Sequence, residues 1–276
     1  MNQIAQMPRV TPTWLGIREP ADAAARSGEL VALVRRHATA GPRPVFHDLG
    51  CGTGSMGRWL AAQLPGDQHW IMHDRDPDLL ELAASDMIDK AADGSPVTVE
   101  TRPGDVTELT AADLDGATLV TASALLDLLT HDEVERIAAA CAEAGCPALL
   151  TLSVVGRVDL TPADPLDARV GAAFNAHQRR TVGDRSLLGP DAVEAAVDAF
   201  VRHGARTYVR PSPWRLGPDQ VELVSAWFVG WLAAAVEQDP ELAVAAAGYS
   251  HRRLMDIAER RLEVVVHHQD LLARHE

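Results

Sequence analysis

Three glycines in five positions follow a short apolar segment that carries an acid. The segment Val45–Leu49 leads directly into the run from Gly50 to Gly54, and Asp48 lies just before the glycines. A backbone of this composition turns sharply, exposes its N–H groups and approaches a ligand closely. The chemistry that these residues predict is the binding of a nucleotide-type cofactor.

The glycine run can be read in two registers. One begins at Gly50, and the other begins at Gly52 and spells a dinucleotide fingerprint that ends at Gly57. A dinucleotide fingerprint starts where the first strand ends. Here Asp48 would remain inside the strand and Gly57 would fall in the next helix, so the register from Gly50 fits better.

Two further acids follow the next two predicted strands. Asp74 ends the second strand, twenty positions beyond Gly54, and its carboxylate can accept hydrogen bonds from both ribose hydroxyls. NAD sites use an acid at a similar place, so Asp74 alone does not separate the cofactors. Arg75 beside it is either a reader of a 2′-phosphate or simply solvated. Asp105 follows the third strand.

The run from Asp48 to Gly54 resembles the first motif of the class I S-adenosylmethionine-dependent methyltransferases, and Gly104-Asp105-Val106 resembles that family's Gly-Asp-Val/Ala segment. The resemblance covers residues 45 to 155. It implies S-adenosyl-L-methionine as cofactor and S-adenosyl-L-homocysteine as product. It also implies that the loop faces the methionine part, with Asp48 near the ammonium group, while Asp105 and the Val106 N–H meet the adenine.

The same resemblance extends to the fourth strand and the N-terminus. Ala122 and Ser123 would present backbone carbonyls to the cofactor, and Arg18 or Arg26 would hold the methionine carboxylate. Surface salt bridges are the alternative for these arginines. The full predicted cofactor set is Asp48, Gly50, Cys51, Gly52, Gly54, Asp74, Arg75, Gly104, Asp105, Val106, Ala122, Ser123 and Arg18.

Methyl transfer from a sulfonium is an in-line displacement, so the protein must align the acceptor and, for an O–H or N–H group, remove a proton. The candidates for this catalytic role are His177, His131 and Asp127. His131 also fits an exposed first turn of a helix. His267 and His268 alternate in a strand, so at most one of them faces a pocket.

Composition bears on the acceptor. The net charge of −14 and the pI near 5.2 work against contact with nucleic acid. The sequence has no Asp-Pro-Pro-Tyr, Asn-Pro-Pro-Tyr or Pro-Cys motif, as base methyltransferases use. Arg210, Trp214 and Arg215 suit an anionic or planar substrate, although arginines at a strand end are usually solvated.

The predicted function is therefore methyl transfer to O or N of a small-molecule acceptor. RNA or protein methylation is an alternative within this class. An NAD-dependent oxidoreductase or a non-catalytic nucleotide-binding module is the alternative from a different class. The sequence leaves the oligomeric state open.

Alternating strand and helix signals predict an α/β fold with a doubly wound, mostly parallel seven-stranded sheet whose last strand is antiparallel, together with N-terminal and inserted helices. Residues 1–40 are predicted as a tail and a helical lid, with one helix over Glu19–Ala38. Residues 41–276 are predicted as the methyltransferase domain, with insertions at about 156–190 and 218–261. The first insertion either covers the site or is decorative.

The predicted elements after the lid are strands at Val45–Leu49, Gln68–His73, Val97–Arg102, Ala117–Thr121, Pro147–Val155, Ala205–Arg210 and Leu262–His267, and helices at Ser55–Leu64, Pro77–Lys90, Thr130–Ala144, Ala168–Arg179, Pro190–His203, Asp219–Glu237 and Pro240–Arg261.

Cysteine usage and apolar runs bear on the environment of the protein. The three cysteines form no CxxC pair, so neither a disulfide framework nor a zinc site is indicated, and a cytoplasmic location is expected. The apolar stretch Leu223–Val236 is shorter than the roughly 18 residues that a membrane span needs, so it predicts a buried helix.

Overall fold

The computed structural model of the chain describes residues 10–38 and 43–275. Two helices come first, α1 (Pro12–Ala25) and α2 (Gly28–Ala38). The prediction of one helix from Glu19 is therefore wrong. The Thr11 side chain caps α1 by accepting from the Trp14 N–H, and Arg26 leaves the helical conformation with ψ of 140°. The predicted tail falls largely on residues 1–9, outside the described residues.

The first half of the domain alternates strands and helices. Its elements are β1 (Val45–Leu49), α3 (Ser55–Ala61), β2 (Gln68–Asp74), α4 (Pro77–Ser85), β3 (Val97–Pro103), β4 (Leu119–Ser123), α5 (His131–Ala144) and β5 (Ala148–Thr161).

The second half contains more helix. Its elements are α6 (Asp167–Gln178), the hairpin of β6 (Thr181–Val182) and β7 (Arg185–Ser186), α7 (Ala192–Arg202), β8 (Arg206–Pro211), β9 (Trp214–Leu216), α8 (Val221–Gln238), α9 (Ala243–Ala258) and β10 (Glu263–Arg274).

Within the described residues, the central sheet has the strand order β3-β2-β1-β4-β5-β10-β8, and β9 pairs with β10 as an eighth strand. The neighbours from β3 to β5 are parallel, whereas β10 runs antiparallel to both β5 and β8. The predicted fold class is confirmed. The prediction missed β9 because three residues between a proline and a glycine carry too little periodicity.

β5 and β10 are longer than predicted and form an antiparallel pair with two register shifts next to β8 at one side of the sheet. Leu152 lies in β5 with φ of +56°, and its N–H donates to the buried Asp270 of β10 at 2.8 Å. The second oxygen of Asp270 accepts from the Ser27 N–H at 2.7 Å. Asp270 thereby fixes the α1–α2 turn and the β5 irregularity to the same strand.

α8 packs its apolar side chains into the hydrophobic core of the second half of the domain. Leu223, Phe228 and Trp231 are among its buried side chains, so the prediction of a buried helix over Leu223–Val236 is confirmed. Across the described ranges, no helix is both long and apolar enough to cross a membrane.

Candidate active site

The glycine loop joins β1 to α3 in a left-handed backbone conformation. Gly50, Gly52 and Gly54 have φ of +60°, +56° and +83°, values that L side chains rarely adopt. A Cβ at Gly52 would lie 3.0 Å from Leu15 of α1, and one at Gly50 would lie 3.1 Å from Leu125. The loop therefore needs glycine both for its turn and for its close neighbours.

Asp48 is fully buried at the end of β1. Its Oδ1 accepts from the Thr121 hydroxyl at 2.7 Å, and its Oδ2 has no hydrogen-bond partner among the described residues. Burial raises the pKa of Asp48 to about 7, although the Thr121 bond acts in the opposite direction. An ammonium group beside Oδ2 would stabilise the ionised form.

Asp74 holds the loop from the neighbouring strand. Its Oδ2 accepts from the Gly52 N–H and its Oδ1 from the Asp76 N–H, both at 2.9 Å. Each carboxylate oxygen has a second lone pair, so two ribose hydroxyls can still be accepted. Asp105 caps the short turn Val106–Glu108, and its Oδ1 accepts from the N–H and the hydroxyl of Thr107.

These elements open into one cavity of about 670 Å³, within the range for small-molecule sites. The carboxyl ends of β1, β2 and β4 form one side of it. The predicted residues that line this cavity are Asp48, Gly50, Cys51, Gly52, Asp74, Arg75, Gly104, Asp105, Val106, Ser123, Arg18 and Asp127.

Four predicted residues lie elsewhere: Gly54, Ala122, His131 and His177. A Cβ at Gly54 would meet Ala83 of α4 at 3.2 Å, so this glycine serves the turn and the packing. Ala122 is buried in the sheet, where its carbonyl accepts from the Thr151 hydroxyl.

Neither histidine that was predicted as a catalytic base reaches the cavity wall. His131 is the exposed first residue of α5. His177 contacts Glu237 of α8 at 3.4 Å and Arg180 at 3.2 Å, outside the cavity. Burial and Arg180 lower the pKa of His177. Phe174, one turn earlier in α6, does line the cavity, so the cavity ends before His177, and helical periodicity alone does not show how far along a helix a cavity extends.

Asp127 is the predicted catalytic residue that does line the cavity. It follows β4 in the turn Leu126–Leu128. Burial raises the pKa of its carboxyl to about 6, and the charges of Arg18 and Arg180 lower it less strongly. Asp127 is therefore a carboxylate at neutral pH whose basicity is higher than usual.

The far side of the cavity is aromatic. Trp227 and Trp231 of α8 stack with ring centroids 5.3 Å apart, and Phe174 of α6 tilts against Trp231 at 6.5 Å. Trp14 of α1 and Trp214 of β9 meet at 6.4 Å. These five rings, together with the apolar residues Leu152, Val154, Val158 and Val266, define what we term the aromatic chamber.

Arg18 enters this chamber from α1 but carries little free charge. Its guanidinium forms two hydrogen bonds with Asp22 at 2.9 and 3.2 Å and lies 4.8 Å above the Trp214 ring. The Trp214 indole N–H also donates to Asp22 at 2.9 Å. α1 thus forms a wall of the chamber with its charges already paired.

A second contact joins α1 to the glycine loop. Arg58 of α3 forms two hydrogen bonds with Glu19 at 2.6 and 3.0 Å and also donates to the Thr53 carbonyl. Arg26 lies behind the wall, where it donates to Ser55 and Ser123 at 3.2 and 3.1 Å. Its Nε and Nη1 lack partners within the described part of the chain.

Of the two neighbouring histidines of β10, His268 lines the cavity, whereas His267 contacts Asp159 at 2.8 Å. Burial and Arg18 lower the pKa of His268 to about 3, so its ring is neutral. Of the predicted group Arg210, Trp214 and Arg215, only Trp214 lines the described cavity. Arg210 pairs with Glu29, and Arg215 is exposed.

Sequence reasoning missed most of the aromatic chamber. Trp227, Trp231 and Phe174 lie on helices that are far apart in the chain, and nothing in their spacing indicates that they converge. It also missed the β6–β7 hairpin, whose Arg185 pairs with Glu133 at 2.8 Å beside the cavity. Bulky rings on the predicted insertions were the signal that was available.

Comparison with known protein families identifies the part of the chain that carries the glycine loop. Residues 46–147 match the family model described as a methyltransferase domain. This range contains the glycine loop, Asp74 and Asp105. The fold is that of the class I Rossmann-like methyltransferases, and residues 46–147 form an S-adenosylmethionine-dependent methyltransferase domain.

Solved structures with low identity share the architecture. The cyclopropane synthase MmaA2 from Mycobacterium tuberculosis is 13% identical, with 96% of this chain and 95% of that chain covered and a TM-score of 0.51. The YcgJ protein from Bacillus subtilis is 12% identical, with coverages of 91% and 100% and a TM-score of 0.48. The first likeness shows the fold alone. No curated protein matches the sequence significantly.

Proposed function

We propose that this methyltransferase transfers the methyl group of S-adenosylmethionine to O or N of a small molecule that binds in the aromatic chamber. The observation that carries the proposal is the continuity of one cavity, in which the glycine loop and the aromatic chamber are opposite ends. A cavity of about 670 Å³ has room for the cofactor and a small acceptor together, but not for a folded macromolecule.

The residues at the loop end fit the cofactor. The free Oδ2 of Asp48 suits the ammonium group, Asp74 the ribose hydroxyls, and Asp105 with the Val106 N–H the adenine. We assign the electrostatic stabilisation of the methionine carboxylate to Arg26 rather than Arg18. Arg18 is held by Asp22, whereas two nitrogens of Arg26 lack partners among the residues described.

When bound, the cofactor supplies an electrophilic methyl carbon and a good leaving group. The protein's own residues must position the acceptor and accept its proton. Asp127 is our choice for the base, because its pKa is raised to about 6 and it lines the cavity, whereas Asp48, with a pKa of about 7, is assigned to the ammonium group of the cofactor. α1 and the β6–β7 hairpin limit the entry of water.

The proposal is tested by measuring S-adenosylhomocysteine formation with small-molecule amines and phenols, bulk RNA and a protein extract as acceptors. We expect turnover with a small molecule alone. Asp127→Asn should retain cofactor affinity and lose turnover, whereas Asp198→Asn, which changes an exposed acid of α7 outside the cavity, should retain both. Turnover confined to RNA or protein would contradict the proposal.

A further inference from the structure

The charges in the cavity are strongly unbalanced. Among the described residues, nine carboxylates and three arginines line it. The loop end accounts for part of this excess, since Asp48, Asp74 and Asp105 face a cofactor that carries a sulfonium and an ammonium group. The acids beside the aromatic chamber need a separate explanation.

Most charges beside the chamber are already paired. Arg18 bonds to Asp22 on α1, and Arg185 bonds to Glu133 on α5. His268 is neutral, because burial lowers its pKa to about 3. These groups contribute no net charge to an acceptor that binds between them.

Asp127 differs from these acids. No ion pair or side-chain hydrogen bond to its carboxylate is found in the described ranges, and Arg18 and Arg180 act on it only at longer range. It lines the cavity three residues after Ala124, which also lines it and packs against the cluster that contains Trp214, Trp227 and Trp231. An unbalanced carboxylate in a desolvated site attracts a cation.

The walls around this carboxylate also favour a cation with an apolar body. Aromatic rings attract ammonium groups, and five of them line the cavity here: Trp14, Trp214, Trp227, Trp231 and Phe174. Anionic acceptors are disfavoured, because the arginines of the chamber are neutralised and the net field is negative.

We propose that the acceptor is an amine attached to an aromatic or similarly apolar group, bound as an ammonium ion to Asp127 and methylated on nitrogen. This rests on the proposed function. One ammonium proton passes to the Asp127 carboxylate, the freed lone pair forms the N–C bond, and the S–C bond of the sulfonium breaks with its electron pair left on sulfur. The product is the methylated ammonium ion and a neutral thioether.

The test uses two matched series of probes, tryptamine, tryptophol and indole-3-acetate, and phenethylamine, 2-phenylethanol and phenylacetate. Within each series the ring and chain length stay constant while the charge changes from positive to neutral to negative. Each probe is titrated into the protein saturated with S-adenosylhomocysteine, so cofactor binding is verified separately.

We expect the amine of at least one series to bind about tenfold or more tightly than its alcohol, and the carboxylate to bind most weakly. Asp127→Asn should abolish the preference for the amine over the alcohol, whereas Asp198→Asn, an exposed change on α7 outside the cavity, should retain it. The preference should also fall below pH 6, as Asp127 becomes protonated.

An equal or better affinity for the alcohol or the carboxylate would overturn the proposal, as would an amine preference that survives in Asp127→Asn. Absence of amine binding in both series by a protein that binds S-adenosylhomocysteine would also overturn it and would leave the methyltransferase function in place. Loss of S-adenosylhomocysteine binding in the wild-type protein would instead contradict the proposed function itself.

Discussion

The Asp48 carboxyl accepts a hydrogen bond from the Thr121 hydroxyl at 2.7 Å, while its other oxygen has no partner in the described part of the chain. A buried acid that is satisfied on one side is poised to receive a cation on the other. Its raised pKa of about 7 makes this contact sensitive to pH near neutrality.

Affinity for S-adenosylhomocysteine should therefore depend on pH. Asp48 is protonated below its pKa of about 7, and the neutral acid attracts the ammonium group less. We expect affinity to fall as the pH is lowered through 7, by at most about tenfold per pH unit. Calorimetric titrations between pH 5.5 and 8.5 would measure it. In Thr121→Val, which lacks the bond that lowers this pKa, the fall should begin at higher pH, whereas a flat profile in both proteins would refute the role of Asp48.

Asp74→Ala should weaken cofactor binding by about 1–3 kcal/mol through lost charge-assisted hydrogen bonds to the ribose. The Gly52 and Asp76 N–H groups also lose their acceptor, so the loop should become less ordered. Asp74→Asn retains part of the acceptor set and should lose less. Glu81→Gln, an exposed change on α4, is the matched control. If Asp74→Ala binds S-adenosylhomocysteine like Glu81→Gln, the ribose lies elsewhere.

Gly57→Ala should destabilise the fold by about 1 kcal/mol, at the low end of overpacking costs, because the new methyl group displaces the flexible end of the buried Met72 side chain. A Cβ at Gly57 would lie 2.5 Å from Met72 Cε of β2. Gly57 therefore does more than an ordinary small residue of α3 would, since it allows the close packing of helix and strand. Gly230→Ala on α8 meets no neighbour within 4 Å and should be neutral or stabilising because alanine favours helix. Denaturant unfolding would compare the free energies of unfolding of the two variants, and equal values would contradict the prediction.

Glu19→Gln should weaken binding of S-adenosylhomocysteine by about 0.2–1 kcal/mol, the range for a partly exposed ion pair. The reason is the contact from Glu19 through Arg58 to the glycine loop. Glu29→Gln breaks a similar ion pair between Glu29 of α2 and Arg210 of β8, away from the glycine loop, and should leave the affinity for S-adenosylhomocysteine unchanged. Dissociation rates of S-adenosylhomocysteine, measured by surface plasmon resonance, would compare the two variants. Equal rates in both would contradict a link between α1 and the glycine loop.

The sequence predicted the cofactor half of the molecule closely. Strands β1, β2 and β3 were placed within one residue, because each is a short apolar or alternating run that ends in a turn-forming acid or proline. The acids Asp48, Asp74 and Asp105 were found because they lie at or just beyond the carboxyl ends of those strands. Local composition carries this information.

The acceptor half was harder, because tertiary contacts determine it. β5 continues from Val155 to Thr161 through a glycine and charged residues, and its pairing with β10 and a hydrogen bond from Asn175 to the Gly156 carbonyl stabilise this segment. The break between α1 and α2 depends on a hydrogen bond from Ser27 to Asp270, 243 positions away. Similarly, no local pattern shows that His268 faces the cavity while His177 does not.

The most direct test of the central claim is calorimetric titration of the purified protein with S-adenosylmethionine, S-adenosylhomocysteine and NAD. We expect both sulfur compounds to bind at a single site and Asp74→Ala to lower the affinity for each of them. NAD should give no heat of binding. Tight NAD binding with silence toward both sulfur compounds would contradict it.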